Sequence, residues 1–414
     1  MEQVANDSSL QTSQPNLTSH YMKTLKMGLK PGGGVESVGE VGEPDISEGG
    51  IKDRLDLTKS ELYRIIKEHL GSEKELYEIA DQIVENAKEA LHVLKDEDEE
   101  RLRENRALLE GLETIVRTDG SRPSFMIRNG EVDRSTSPVG VWADTLDASA
   151  DLLRDAIACV GRIDLPFATQ GFEGTGFLIQ ENLILTNRHV LQAIATRNND
   201  GEWTFRPGAA IDFGHEFRAL ESVHRRALKS VLFTGPKPIL EVGPVDHTKL
   251  DLSLIELEPA GQNEQPRTFL NVDVSSDWAQ PELIMYTVGY PANPGIGAFT
   301  PSLLELLFKS TYGCKRLAPG LVIKSHANVQ PWTTAHDATT LGGNSGSLVV
   351  VAGRENAAAG LHYGGRRSEP RENWGHILGL VLDTTDGRTD VTLRQHLMDR
   401  GVNLIDRLPQ PPVE

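Results

Sequence analysis

GTGFLIQENLILTNRHVL, residues 174–191, is the stretch on which the fold turns. Two β-rich runs flank Glu181-Asn182, the pattern of a hairpin. The second run ends in Thr186-Asn187-Arg188-His189-Val190, so His189 stands where a strand gives way to a turn or short helix. Working outward, the same texture recurs. VGRIDL (160–165), DLSLIELE (251–258), LIMYTVGYP (283–291), GLVIKSH (320–326) and GSLVVVAG (346–353) are short apolar or alternating runs between turn residues. Regularly spaced short strands with Gly and Pro turns predict an all-β barrel or sandwich.

His189 alone carries little specificity, because most histidines are surface or core residues. Two further stretches change its weight. Asp251 heads a strongly apolar strand, among Leu250, Leu252, Leu254 and Leu257. A carboxylate there must be solvated or hydrogen-bonded. The competing Asp246 lies among Gly243, Pro244 and His247 and reads as loop. TTLGGNSGSLVV (339–350) then places Ser345 in a glycine-rich turn before an apolar run. Acyl transfer by serine needs a base within reach of the hydroxyl and an orienting acceptor on the base. It also needs backbone N–H groups aimed at the developing oxyanion. The glycines let the N–H groups of Gly343 and Ser345 converge beside the hydroxyl. His189 fits the base and Asp251 the orienter.

GTGFLI…LTNRHV, DLSLIEL and HDATTLGGNSGSLVV…AAGLHYGG together resemble the three signature regions of trypsin-like serine peptidases, in the His…Asp…Ser order of the chymotrypsin fold. The flavour is similar to the bacterial glutamyl-endopeptidase and HtrA-like branch, in which VGYP (288–291) and GGNSGS also recur. The resemblance covers roughly residues 155–385. It implies a double barrel, with His189 and Asp251 in the first barrel and Ser345 in the second. It also implies a catalytic triad of His189, Asp251 and Ser345, an oxyanion hole at Gly343 and Ser345, and a protein or peptide substrate. Leu348 departs from the pattern, since many relatives have Pro there.

Glutamyl endopeptidases contact the substrate carboxylate through a Thr five residues before the nucleophile and a His in a Gly-apolar-His-aromatic-Gly-Gly strand. Thr340 and His362 stand at the matching places, with Gly364 in the same strand. A hydroxyl and an imidazole can donate hydrogen bonds to a carboxylate. The resemblance therefore implies a preference for an acidic side chain on the N-terminal side of the scissile bond. The bland alternative is a structural His362 and a pocket for some other side chain. Thr339, not Asp, stands six residues before Ser345, where Arg/Lys specificity would want a carboxylate.

The rest of the chain is of another kind. Its 414 residues suit more than one domain, and its formal net charge of −18 argues against binding nucleic acid or anionic membranes through a general basic surface. No secretory signal or apolar run of about 20 residues is visible. Cys159 and Cys314 are the only cysteines, which fits a reducing, cytoplasmic setting. The histidines show no metal-ligand spacing, and neither metal nor cofactor is expected.

Residues 1–50, polar and Gly-rich, read as a disordered tail. Residues 51–118 read as a helical module. One helix opens on a capping-box spacing at Thr58 and Glu61 and ends at Gly71, and a second opens on the same spacing at Ser72 and Glu75. A third follows the acidic run at 96–100. Residues 119–154 form a connecting segment with a hairpin signal at Asn129-Gly130 and a further helical stretch. Residues 155–400 form the peptidase domain, and 401–414 a C-terminal tail. The expected architecture is an N-terminal α-helical bundle plus an all-β double barrel of chymotrypsin type. The expected protein is a bacterial serine endopeptidase recruited or restrained through a partner of residues 51–118. The alternative is a catalytically silent protease fold serving as a scaffold in a signalling or defence complex.

Overall fold

The computed structural model describes residues 16–28, 44–71, 73–218, 224–240, 243–261, 267–293, 311–354, 356–366 and 371–406. The helical part is larger than expected. Helix α1 (Leu17–Leu25) lies inside the expected tail, as does the start of α2 (Glu48–Ile65). Leu17, Tyr21 and Leu25 recur at helical spacing and are buried, and Asn16 caps the helix by accepting from the Ser19 N–H at 2.6 Å. Few apolar side chains suffice when all of them share one face. The remainder of the expected tail, residues 1–15 and 29–43, lies outside the described residues.

Helix α2 is capped by Ser47, whose hydroxyl accepts from the Gly50 N–H at 3.2 Å. Thr58 therefore sits within the helix, buried against Thr118, not at its start. Ile51 and Leu55 extend the apolar stripe back to the two glycines, Gly49 and Gly50, that open the helix. Gly71 ends the helix with φ +94°, as expected, after a π-turn at Ile66–Leu70. Ser72 lies outside the described residues. Helix α3 (Lys74–Lys95) is followed by α4 (Glu99–Glu104) and α5 (Arg106–Thr118) in place of one helix. They divide at Asn105, whose side chain caps α5. The helices share one core, including Leu62, Leu91, Leu94, Leu112 and Ile115.

The β part is two six-stranded antiparallel barrels, as expected. In the first, Val160–Asp164, Phe172–Gln180, Leu183–Thr186, Ser253–Leu257, Arg225–Thr234 and Ala210–Asp212 form a closed ring. In the second the order is Ile284–Gly289, Leu348–Val351, Gly360–Gly365, Asn373–Ile377, Thr333–His336 and Arg316–Ile323. Pairing of the last with the first closes the ring. Leu, Ile and Val of the first barrel share one core with one face of the second barrel's strands, including Leu348 and Val350, while alternate residues such as Met285, Val349 and Val351 pack in a separate cluster with Trp278.

The hairpin at Asn129-Gly130 forms as expected, with φ +53° and +76° at its two turn residues. Its first strand, Phe125–Arg128, pairs with Arg316–Ile323 and so extends the second barrel. Trp142 is fully buried in the barrels' core. The stretch 119–154 thus contributes a strand and core side chains to the β body. At the other end, Leu404–Ile405 pairs with Asn271–Asp273 in what the sequence suggested was a tail. Residues 407–414 lie outside the described residues. No helix among the described residues is long and apolar enough to cross a membrane.

Candidate active site

The first barrel brings His189 and Asp251 together by register. Ser253 pairs with Thr186, so the residues just outside those strand ends become neighbours. His189 lies in the first turn of the short helix Arg188–Ile194. Asp251 grips it twice. One carboxylate oxygen accepts from the His189 backbone N–H at 2.9 Å, and the other meets His189 Nδ1 at 2.6 Å. An ionised carboxylate only accepts, so Nδ1 carries the proton and Nε2 is left as the basic nitrogen. Burial pushes the Asp251 carboxyl up, but the charge and hydrogen bonds of His189 outweigh it and hold the pKa below the usual range. The Asp251 side chain is 6 % exposed and that of His189 25 %, so the carboxylate is shielded while the imidazole keeps an open edge.

Two residues that sequence reading did not single out complete this half. Asn187 Nδ2 donates to the Asp251 carbonyl at 2.8 Å, and the Asp251 N–H donates to His376 Nε2 at 3.0 Å. His376 comes from the second barrel and stacks on Tyr363, centroids 4.3 Å apart. Nothing in the NWGHIL run marks His376 as different from a core histidine.

The second barrel presents Ser345 on a loop shaped by backbone. Gly343 has φ +82° and Gly346 φ +86°, a region costly for residues with a Cβ. A Cβ on Gly346 would also lie 1.9 Å from the Thr175 carbonyl oxygen. The loop hangs on the first barrel. Thr175 N–H donates to the Ser345 carbonyl at 2.8 Å, and its hydroxyl donates to the Gly343 carbonyl at 2.9 Å. Gly174 lies between that Ser345 carbonyl and Val190, the residue after His189. A Cβ there would meet them at 2.9 and 2.7 Å. Ser345 therefore sits beside the helix that carries His189. The N–H groups of Gly343 and Ser345 have no acceptor among the described residues.

Thr340, His362 and Gly364 line one cavity of about 250 Å³ together with Ser345. Thr340 Oγ1 donates to Asn373 Oδ1 at 2.6 Å, and the Asn373 amide is oriented by its donation to the Ala338 carbonyl at 2.8 Å. The Thr340 proton is thus already placed, and the hydroxyl serves to position Asn373. His362 Nδ1 lies 3.3 Å from Nε2 of His336, a buried histidine of Thr333–His336, one strand removed across Asn373–Ile377. Burial pushes the His336 pKa down to about 3 and that of His362 well below its ordinary value, where His336 and His189 lower it further. Both are neutral. His336 was legible only as a residue of HDATT; its role depends on a strand contact that spacing does not reveal.

A group of Asp164, Asp212 and His215 has the donor types for a cation. Arg162 contacts two of the three, with Nε 2.6 Å from Asp164 and a terminal nitrogen 2.9 Å from His215. The guanidinium places a positive charge against Asp164.

The solved structures to which the fold is similar include human heparin binding protein, with 13 % identity over 63 % of this chain and 96 % of that one and a TM-score of 0.38. A scabies mite inactivated protease paralogue has 11 % identity over 54 % and 90 %, also at 0.38. In sequence, a "probable serine protease" of Lysobacter enzymogenes is 31 % identical over 277 residues, which span 61 % of this chain and 69 % of that protein. The family model of the trypsin-like peptidase domain matches residues 174–360, from the hairpin ahead of His189 to the strand behind Ser345. With that match, and a relative aligned over more than two thirds of its own length, the chain belongs to the trypsin-like peptidases.

Proposed function

We propose that the protein is a serine endopeptidase in which Ser345 is the nucleophile, His189 the general base and Asp251 its orienting partner. The observation that carries this reading is the double grip of Asp251 on His189. It sets the tautomer that a base needs and stabilises the imidazolium once formed. Ser345 Oγ attacks the peptide carbonyl as its proton passes to His189 Nε2. The N–H groups of Gly343 and Ser345 receive the oxyanion. The imidazolium then protonates the departing amine, and water, deprotonated by the same nitrogen, releases the acid.

The preferred side chain before the scissile bond is acidic, in keeping with the glutamyl-endopeptidase branch. The His336–His362 contact supports this. Two neutral imidazoles in contact allow one proton between them. When His336 Nε2–H donates to His362 Nδ1, His362 Nε2 must carry its own proton, and a donor faces the cavity. An anionic ligand selects that arrangement.

The test compares the full chain with Ser345→Ala on peptides carrying Glu, Gln or Ala before the cleaved bond. Wild type should cleave and should label with a fluorophosphonate; Ser345→Ala should do neither. Glu should outrun Gln by about tenfold or more, the worth of one charge-assisted hydrogen bond. Turnover by Ser345→Ala equal to wild type would exclude the mechanism. A silent wild type would favour the scaffold reading. Equal rates on Glu and Gln would remove the acidic preference alone.

A further inference from the structure

The cavity that holds Ser345 is not built by the barrels alone. His20 and Tyr21 of α1, Glu113 and Arg117 of α5, and Arg122 just beyond line it together with Thr340 and His362. This helical face is tied down from both sides. Arg122 forms an ion pair with Asp337 at 2.5 Å, and its carbonyl accepts from Thr339 Oγ1 at 2.8 Å. Glu113 gathers Tyr21 OH at 3.1 Å, Arg117 at 3.2 Å and, from the second barrel, Arg371 at 3.6 Å. The helices wall the cavity but do not fill it, since about 250 Å³ remain.

The sign of the lining is opposite to that of the molecule. Four arginines and two carboxylates line the cavity, and a third carboxylate, the buried Glu372, pairs with Arg366 at 3.3 Å, so a positive excess remains in a chain of formal net charge −18. A concave site with an excess of one sign favours ligands of the other. Arg117 is held by a carboxylate on the preceding turn of its own helix, with its side chain 9 % exposed, so its fork is oriented in advance. An oriented guanidinium in a shielded site is a carboxylate receptor.

We propose that α1 and α5 are a fixed wall of the substrate side-chain pocket and that Arg117 is a specificity-determining residue, selecting carboxylate side chains together with His362 across the cavity. This rests on the acidic-pocket reading above. It assigns the helical unit to substrate recognition, where a detachable recruiting module would leave selectivity untouched.

The experiment measures kcat/KM of the full-length chain on the matched Glu, Gln and Ala peptides, for wild type, Arg117→Gln and Arg117→Lys. The Glu:Gln ratio should fall at least about tenfold in Arg117→Gln, with the Gln and Ala peptides within about threefold of wild type. Arg117→Lys keeps the charge but loses the two-pronged contact, so its ratio should fall by less, and it carries the test if Arg117→Gln does not fold. A wild type that prefers Glu while the variants keep its ratio would overturn the inference and leave the acidic pocket standing. A wild type without Glu preference would overturn both. An equal rise on all three peptides in the variants would show that the helices obstruct the cleft instead of reading the substrate, and would also overturn it.

Discussion

The two barrels hold their halves of the site by different means. The first locks His189 and Asp251 through side-chain hydrogen bonds, and its backbone there is ordinary strand and helix. The second holds Ser345 through backbone shape, with glycines at φ +82° and +86° and carbonyls pinned by Thr175. A side-chain lock can be altered without disturbing the fold around it. A backbone lock cannot, because the atoms that shape the loop also pack it. The same difference separates chemistry from architecture in the effect of mutation.

Asp251→Asn should break the comparison most sharply on the chemical side. The amide can offer His189 the wrong hydrogen-bond partner, and kcat should fall about 10⁴-fold, the loss seen for the same change in a known triad. Thermal unfolding measured in parallel should move little. Gly346→Ala should do the reverse in kind. It forces a Cβ against the Thr175 carbonyl at a positive φ. A shift of about 1 Å in the loop costs about 100-fold in rate, and the strain about 2 kcal/mol or more in stability. If Gly346→Ala kept its stability while losing activity, the second half would be no more backbone-held than the first.

Acid should separate the barrels more gently. His336 and His376 have folded-state pKa values pushed by burial to about 3 and about 4, from an ordinary 6.5. Below that ordinary value the unfolded chain binds protons that the folded chain refuses. Their stabilisation is therefore complete above pH 6.5 and is lost as pH falls towards 4 and 3, by up to about 1.4 kcal/mol per pH unit for each group. Asp251 is also held below its ordinary 3.8, so its contribution is complete above that value and is lost only at lower pH. Urea midpoints at pH 7 and pH 5 should therefore fall for wild type and fall less for His336→Asn. An identical fall would mean that His336 is protonated in the fold.

The sequence was most legible where local pattern and chemistry coincide. The hairpin ahead of His189, the strand after Asp251 and the glycine turn at Ser345 each carry their own signal, and each forms as expected. Residues that act through distant contacts were hidden. His336 and His376 lie in short strands without a distinctive pattern and matter only because side-chain packing across the second barrel sets one beside His362, and contact between the barrels sets the other beside Asp251. Helix α1 was hidden for a different reason. Its three core residues are diluted by polar neighbours, and its partner helices lie far along the chain. Arg117 reads locally as an (i, i+4) partner of Glu113 on a charged helix face; only packing turns that face towards the cavity.

The stitches from Thr175 to Gly343 and Ser345 bear on the order in which the molecule comes into being. The Ser345 loop takes its shape from a strand made some 170 residues earlier, as the separation between Thr175 and Gly343 records. A chain leaving the ribosome folds its N-terminal elements first. The helices and the first barrel can thus stand ready while Ser345 is still unmade. The template exists before the loop it shapes, and on the proposed mechanism hydrolytic competence would arrive only with the last barrel, when little of the chain is left exposed to it.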